Sequence, residues 1–258
     1  MDSFDLSGIA LSTNASNKNH WVTMVSENVF VSSQHFFPSN GSTVTFHTTN
    51  DPNGSTVTRT IQSSQQITGG TLGNSSDIRI GVLNANVTPT VGRYSFATDD
   101  TNTATGGGPN SFASSPYNGA NAYMFGRSPS DVTATIDVAV GSNIVDRWFD
   151  SITASGTTDD AIGSTVDASG DANFVPFEAE LAGGDSGAPM FVVQGGVLTL
   201  IGLNWFVGTS GGDPINGQSY LGNYDAEIQS FITANAVPEP SVAFLAFVST
   251  CLLLRRRR

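Results

Sequence analysis

Short apolar runs separated by polar turns recur along most of the chain and predict an all-β protein. Residues 21–31 contain two apolar runs that flank a polar Ser-Glu-Asn turn, which predicts a β-hairpin. Ile and Val alternate with other residues over 78–82, and alternation restarts over 132–140, as expected for strands with one buried face. The apolar run 198–203 predicts a further strand.

The spacing of these runs divides the chain into two β units and a helix. Residues 98–121 are rich in Gly, Asn, Ser and Thr and predict a linker between a first unit at about 7–100 and a second at about 120–222. After the second unit, apolar residues recur at i, i+4, i+7 and i+8, which predicts an amphipathic helix over 223–235. We therefore predict one domain over residues 1–236.

Composition narrows the possible partners. The formal net charge is −12, and four of the ten Lys and Arg residues are Arg255–Arg258, so the rest of the chain is still more acidic. Such a body is repelled by phosphate backbones, so we expect no nucleic-acid partner. Cys251 is the single cysteine, which excludes a disulfide framework.

No metal or other cofactor is predicted. The three histidines His20, His35 and His47 contain no close pair with the spacing of zinc ligands. Acidic residues cluster at 159–160 and 167–171, but without a recognisable spaced loop of oxygen ligands, so calcium binding remains an open alternative.

The strongest chemical signal is a serine set between glycines. Residues 183–189 read Gly-Gly-Asp-Ser-Gly-Ala-Pro and lead into the apolar run 190–193, which predicts a tight turn feeding a strand. A serine hydroxyl needs a nearby base and fixed donors to act as a nucleophile. The segment resembles the Gly-Asp-Ser-Gly-X-Pro motif of chymotrypsin-like serine peptidases and differs from the α/β-hydrolase elbow at Ala188. The resemblance implies that Ser186 is the nucleophile and that the amides of Gly184 and Ser186 form the oxyanion hole; the alternative is a Gly-rich surface turn.

Two earlier segments resemble the other active-site motifs of that family. A predicted strand ends in Ser-Ser-Gln-His at 32–35, similar to the family's Thr/Ser-Ala-Ala-His, with Gln as a departure. Residues 77–83, Asp-Ile-Arg-Ile-Gly-Val-Leu, are similar to its Asp-Ile-Ala-Leu-x-Lys-Leu segment. The resemblance implies that His35 is the general base and that Asp77 orients it. The order His35, Asp77, Ser186 is that of chymotrypsin-like peptidases, although each of the first two residues also has an ordinary structural interpretation.

The same resemblance implies a substrate-binding region. Asn204, Trp205 and Phe206 stand where the family has Ser-Trp-Gly, whose backbone pairs with the substrate as an added strand. Phe206 replaces the glycine at the entrance of the primary specificity pocket. Glu180 lies six residues before Ser186, at the family's pocket-floor position. A carboxylate there favours Arg or Lys before the cleaved bond, and a solvated Glu180 is the equal alternative.

Taken with the motifs, the resemblance predicts a specific fold and activity. The expected fold is two six-stranded antiparallel β-barrels of the chymotrypsin-like type with a C-terminal α-helix, and the triad in the cleft between the barrels. The expected function is an endopeptidase acting on protein or peptide substrates. A catalytically inactive binding module of the same fold and a structural β-protein of the cell surface are the alternatives.

The last residues form a separate tail. Residues 237–258 read Val-Pro-Glu-Pro-Ser, then a short apolar stretch, then four arginines, and closely resemble a PEP-CTERM sorting signal. The resemblance implies a short tail helix, transient anchoring in the inner membrane, processing by an exosortase-type enzyme, and release to the cell surface or medium. Since the first residues lack the basic and apolar pattern of a signal peptide, we expect that signal to lie upstream.

Overall fold

The computed structural model describes residues 4–13, 19–69, 74–98, 112–127 and 138–237. The predicted tail helix lies outside these ranges, as do most of the predicted linker and part of the predicted strand at 132–140.

The described residues form fourteen β-strands and one α-helix, in agreement with the predicted all-β class. In chain order they are β1 (Ile9–Thr13), β2 (Asn19–Met24), β3 (Val29–Ser33), β4 (Thr43–His47), β5 (Thr56–Gly69), β6 (Asn74–Leu83), β7 (Ser95–Phe96), β8 (Asn121–Arg127), β9 (Val138–Ile144), β10 (Arg147–Ala154), β11 (Thr157–Thr165), β12 (Pro189–Gln194), β13 (Val197–Ser210), β14 (Asp213–Tyr220) and α1 (Asp225–Ala234).

The first unit is a closed antiparallel barrel of six strands in the order β1-β2-β3-β6-β5-β4, as predicted. β4 pairs with β1, which closes the barrel and removes its free edges. All five residues of β3 are buried, because its two faces are both covered: Val29 and Val31 pack in the cluster between the units and Phe30 packs in the cluster of the barrel. Gly81 on β6 stands opposite Phe30, and a Cβ there would come within 2.4 Å of the Phe30 ring, so the glycine makes room for this core aromatic.

The second unit differs in detail from the predicted six-stranded barrel. Its strands form one eight-stranded sheet in the order β10-β11-β14-β13-β12-β8-β9, with β7 added in parallel to β13. The two outer strands, β9 and β10, follow each other in the chain, so the sheet curls into a half-barrel. Val145 and Asp146 lie between these two strands. Their backbone amides donate to the carbonyls of Ala120 and Gly163, so they do not continue a ladder between β9 and β10.

One hydrophobic cluster joins the two units. It contains Trp21 and Ile80 from the barrel together with Phe191 and Leu203 from the sheet. Burial of large side chains from both units stabilises one relative arrangement. The loops that follow β3 and precede β12 are thereby fixed on either side of one cleft.

The predicted C-terminal helix is confirmed as α1, which follows a single 3-10 turn at Gly222–Tyr224. Ile228 is its fully buried residue and packs in the shared cluster. Within the described ranges, no helix is long and apolar enough to cross a membrane.

Candidate active site

His35 lies just beyond β3 and is fixed by a residue of the neighbouring strand β6. The Gln34 amide donates to the Asp77 carbonyl at 2.8 Å, and the His35 amide donates to Asp77 Oδ1 at 3.0 Å. The other carboxylate oxygen, Oδ2, lies 2.7 Å from His35 Nδ1. Asp77 therefore holds both the backbone and the ring of His35, which sets the orientation of the imidazole.

The Asp77 carboxylate is completely buried. Burial raises the pKa of Asp77, while its hydrogen bonds and charge interaction with His35 act in the opposite direction. A buried carboxylate whose main partner is a histidine stabilises the positive charge that the ring gains when it accepts a proton.

Ser186 reaches His35 from the other unit. Its Oγ lies 2.9 Å from His35 Nε2, on the side of the ring opposite to Asp77. Gly187, with φ +83°, makes the close approach possible, because a Cβ there would lie 2.9 Å from the Ser33 backbone nitrogen. The structure thus brings together the three residues that the motifs predicted, from two halves of the molecule.

The predicted oxyanion loop is held at two points. The buried Trp21 indole donates from Nε1 to the Gly184 carbonyl at 3.2 Å, and the Gly187 amide donates to the Asn204 carbonyl at 2.8 Å. Among the described residues, the Gly184 and Ser186 amides donate to no acceptor. Two such amides beside a serine Oγ can donate to a developing oxyanion.

Asp185 fixes the same loop through hydrogen bonds of its side chain. This residue is buried, and its carboxylate accepts from the Arg127 amide at 2.7 Å and from the Ala182 amide at 2.8 Å. Burial raises the pKa of Asp185, and these two bonds and the Arg127 charge counteract that rise. Gly126 provides the space, because a Cβ there would lie 2.9 Å from the carboxylate carbon. The buried Asp185 carboxylate therefore has its hydrogen-bond partners within the protein.

A small cavity opens beside Ser186. Its volume is about 100 Å³, and its lining includes the predicted substrate-binding residues Asn204, Trp205 and Phe206. Asn204 is fixed in the lining of this cavity, because its side-chain amide donates to the Phe125 carbonyl at 2.8 Å.

Glu180 does not line this cavity, so of its two predicted roles the geometry favours the solvated side chain over the pocket floor. Glu180 is exposed and lines a separate cavity of about 560 Å³ together with Arg127 and Phe177. Leu181, the next residue, is buried and lines both cavities, and its amide donates to Asn216 Oδ1 at 3.0 Å. Side chains of adjacent residues in an extended segment point in opposite directions, so Glu180 faces outward.

Sequence reasoning missed Trp21, Arg127 and Asn216 as supports of the site. Trp21 and Arg127 lie 163 and 58 residues from their partners in the chain, and no local motif marks them. Within the described ranges, no group of three or more His, Cys, Asp or Glu side chains could hold a metal ion.

Comparison with solved structures identifies the fold. The chain superposes on human heparin binding protein with a TM-score of 0.60 at 13% identity, covering 91% of this chain and 94% of the other. A mutant of the human protein, also called CAP37, gives the same TM-score at 14% identity, with 91% and 95% covered. The fold is chymotrypsin-like. No protein-family profile and no curated protein sequence matches the chain.

At this level of identity the likeness shows the fold alone. The chymotrypsin-like arrangement accounts for the closed barrel, the half-barrel and the short terminal helix. The chemistry of the cleft must be argued from its own residues.

Proposed function

We propose that this chain is a serine endopeptidase. The observation that carries the proposal is the continuous chain of contacts from Asp77 Oδ2 to His35 Nδ1 at 2.7 Å, and from His35 Nε2 to Ser186 Oγ at 2.9 Å. A nucleophile, a base and an orienting acid within hydrogen-bond distance are the minimal set for acyl transfer through serine.

The proposed reaction proceeds in two stages. Ser186 Oγ attacks the peptide carbonyl carbon while its proton passes to His35 Nε2, and the carbonyl oxygen accepts from the Gly184 and Ser186 amides. The intermediate collapses when His35 gives the proton to the leaving nitrogen, which leaves an ester on Ser186. Water then attacks the ester, giving a proton to His35, and the proton returns to Ser186 as the acid product leaves.

The edge of β13 offers a place for the substrate backbone. The ladder between β12 and β13 ends at the pair Pro189 and Leu203, and Asn204 still bonds to the backbone of Gly187 and Ala188. Beyond Asn204, the strand pairs with β14 on one side only, so Trp205 and Phe206 stand at a free edge. An extended peptide beside this free edge would form backbone hydrogen bonds and place its carbonyl next to Ser186.

The proposal is tested with a fluorophosphonate probe, in which a serine Oγ displaces fluoride from phosphorus. We expect one covalent adduct per chain, located on Ser186 by peptide mass spectrometry. The rate of labelling should fall in a His35→Ala variant, because the base is removed. A folded chain that does not label would favour the catalytically inactive binding module or the structural β-protein.

Heparin binding does not follow for this chain from the name of its structural neighbours. Heparin is a polyanion, and this chain has a formal net charge of −12. Charge repulsion opposes such a complex.

We propose that the protein is exported and sorted through residues 237–258. The support is the Pro-Glu-Pro sequence, the short apolar stretch and the terminal arginines. Arginines at one end of an apolar segment favour the cytoplasmic side of a membrane. We expect an exosortase-type enzyme to remove the tail, so that intact-mass analysis of protein from the native host finds a species without Arg255–Arg258. A major cytosolic species that still carries Arg258 would contradict both export and sorting.

A further inference from the structure

The cavity beside Ser186 limits which residue can precede the cleaved bond. We propose, on the basis of the peptidase function above, that this chain cleaves after small aliphatic residues such as Ala and Val, and not after Arg, Lys or aromatic residues. The proposal rests on the size, the walls and the charge of this cavity.

The cavity is in the right place to receive that side chain. It lies between residues 181–183 and residues 204–207, and Ser186 forms part of its lining. A peptide paired with the free edge of β13 directs alternate side chains toward the two faces of the sheet. The side chain next to the attacked carbonyl therefore enters this cavity.

The volume admits only a small group. At about 100 Å³, this cavity is smaller than the cavity of roughly 150 Å³ that accepts a benzene ring in an engineered protein core. A side chain of one to three carbons fits within that space. A Phe ring or a Lys chain needs the walls to move.

Phe206 forms one wall of this cavity, and its ring is held in place by its neighbours. Its ring faces Gly217 across the β13–β14 ladder, where an added Cβ would lie 2.2 Å from Phe206 Cζ. The ring also meets Phe149 edge-to-face at 5.3 Å and Trp205 at 5.4 Å between centroids. Since aromatic partners hold Phe206 on two sides, retreat of the ring would disrupt a packed cluster.

The carboxylate that lines this cavity, Asp185, is buried and is already engaged by the backbone. Glu180 faces the other cavity, and both oxygens of the Asp185 carboxylate already accept backbone hydrogen bonds. A Lys or Arg head group would lose its hydration and would have to share Asp185 with the Arg127 and Ala182 amides. Leu181 and Trp205, both nearly completely buried, give the lining an apolar character that suits an aliphatic group.

The test is a set of peptides that differ only in the residue before the cleaved bond: Ala, Val, Leu, Phe, Arg and Glu. We expect kcat/KM to be highest for Ala and Val and at least 100-fold lower for Phe, Arg and Glu. The variant Phe206→Gly should raise kcat/KM for the Leu and Phe peptides at least tenfold. The control variants Glu180→Gln and Phe177→Gly, which change only the neighbouring cavity, should leave the order unchanged.

The outcomes separate this inference from the proposed function. Preferred cleavage after Arg or Phe by a chain that labels at Ser186 would overturn the inference and leave the peptidase function standing. A loss of Arg cleavage in Glu180→Gln would overturn it in the same way, by placing Glu180 in the pocket. Failure to cleave any peptide, together with failure to label, would overturn both.

Discussion

Replacement of Ser186 by alanine is expected to abolish peptide hydrolysis while the protein stays folded. Loss of a serine nucleophile in a peptidase triad lowers kcat by about 10⁶-fold, because His35 and Asp77 act only through the missing oxygen. The hydroxyl is half-buried at the cleft surface, and its protein partner is His35 Nε2. Its removal leaves no large cavity, so we expect the free energy of unfolding to change by less than about 1 kcal/mol.

The measurement is kcat/KM on the best peptide, with urea unfolding to confirm the fold. Ser39→Ala is a matched control, since Ser39 is an exposed serine four residues after His35. We expect this variant to keep full activity. Unchanged hydrolysis by purified Ser186→Ala would refute the assignment of Ser186 as the nucleophile.

Replacement of Asp159 by asparagine is expected to stabilise the protein increasingly as the pH rises. Asp159 lies on β11 and is completely buried. Its Oδ1 accepts from the Tyr224 hydroxyl at 2.5 Å and from the Asp160 amide at 2.8 Å, whereas its Oδ2 has no partner among the described residues. Burial raises the pKa of Asp159 to about 7, with smaller contributions from the charges of Asp160 and Asp77, while the two hydrogen bonds lower it.

The direction of this pH dependence follows from the number of protons bound by the folded and the unfolded chain. Between about pH 4 and pH 7, folded Asp159 keeps its proton, whereas the unfolded chain with a carboxyl pKa near 3.8 releases it. Raising the pH therefore favours unfolding over this window, and the loss levels off above pH 7. A rise of about three pKa units corresponds to roughly 4 kcal/mol in the free energy of unfolding at pH 8.

Urea unfolding of the wild type and Asp159→Asn at pH 4 and pH 8 measures this effect. Asparagine keeps the shape of the side chain and an oxygen for Tyr224 but carries no charge. The other buried acids are common to both proteins, so their contributions cancel in the difference. The control Asp150→Asn removes an exposed acid from the adjacent strand β10 and should show no such dependence. An equal difference between wild type and Asp159→Asn at both pH values would contradict the prediction.

The fold was largely predictable because its strands carry local signals. The hairpin at 21–31 and the alternation at 78–82 correspond to β2, β3 and β6, and the periodicity after residue 222 corresponds to α1. The closure of the second sheet was not predictable. Whether β9 and β10 pair depends on where the amides of Val145 and Asp146 find acceptors, and those acceptors lie 25 and 17 residues away in the chain.

The candidate site also combines residues that the sequence predicted with contacts that it did not. Motifs marked His35, Asp77 and Ser186 because the chemistry of a triad needs particular residues on tight turns. The structure places His35 within hydrogen-bond distance of both Asp77 and Ser186. Their catalytic role is a prediction. The position of Glu180 in the motif suggested a pocket floor. Glu180 is instead exposed, while the Leu181 amide donates to Asn216, and a bond between distant residues leaves no local trace in the sequence.

The sequence by itself determined the strand pattern, the terminal helix and the three candidate residues, because turns, alternation and short motifs act over a few neighbouring residues. The tertiary structure alone decided the open second sheet, the bond from Trp21 to Gly184, the internal partners of Asp185, and the size of the cavity that Phe206 lines. Each of these depends on packing between residues from different strands. Such contacts form only when the barrel and the half-barrel bury their shared hydrophobic cluster.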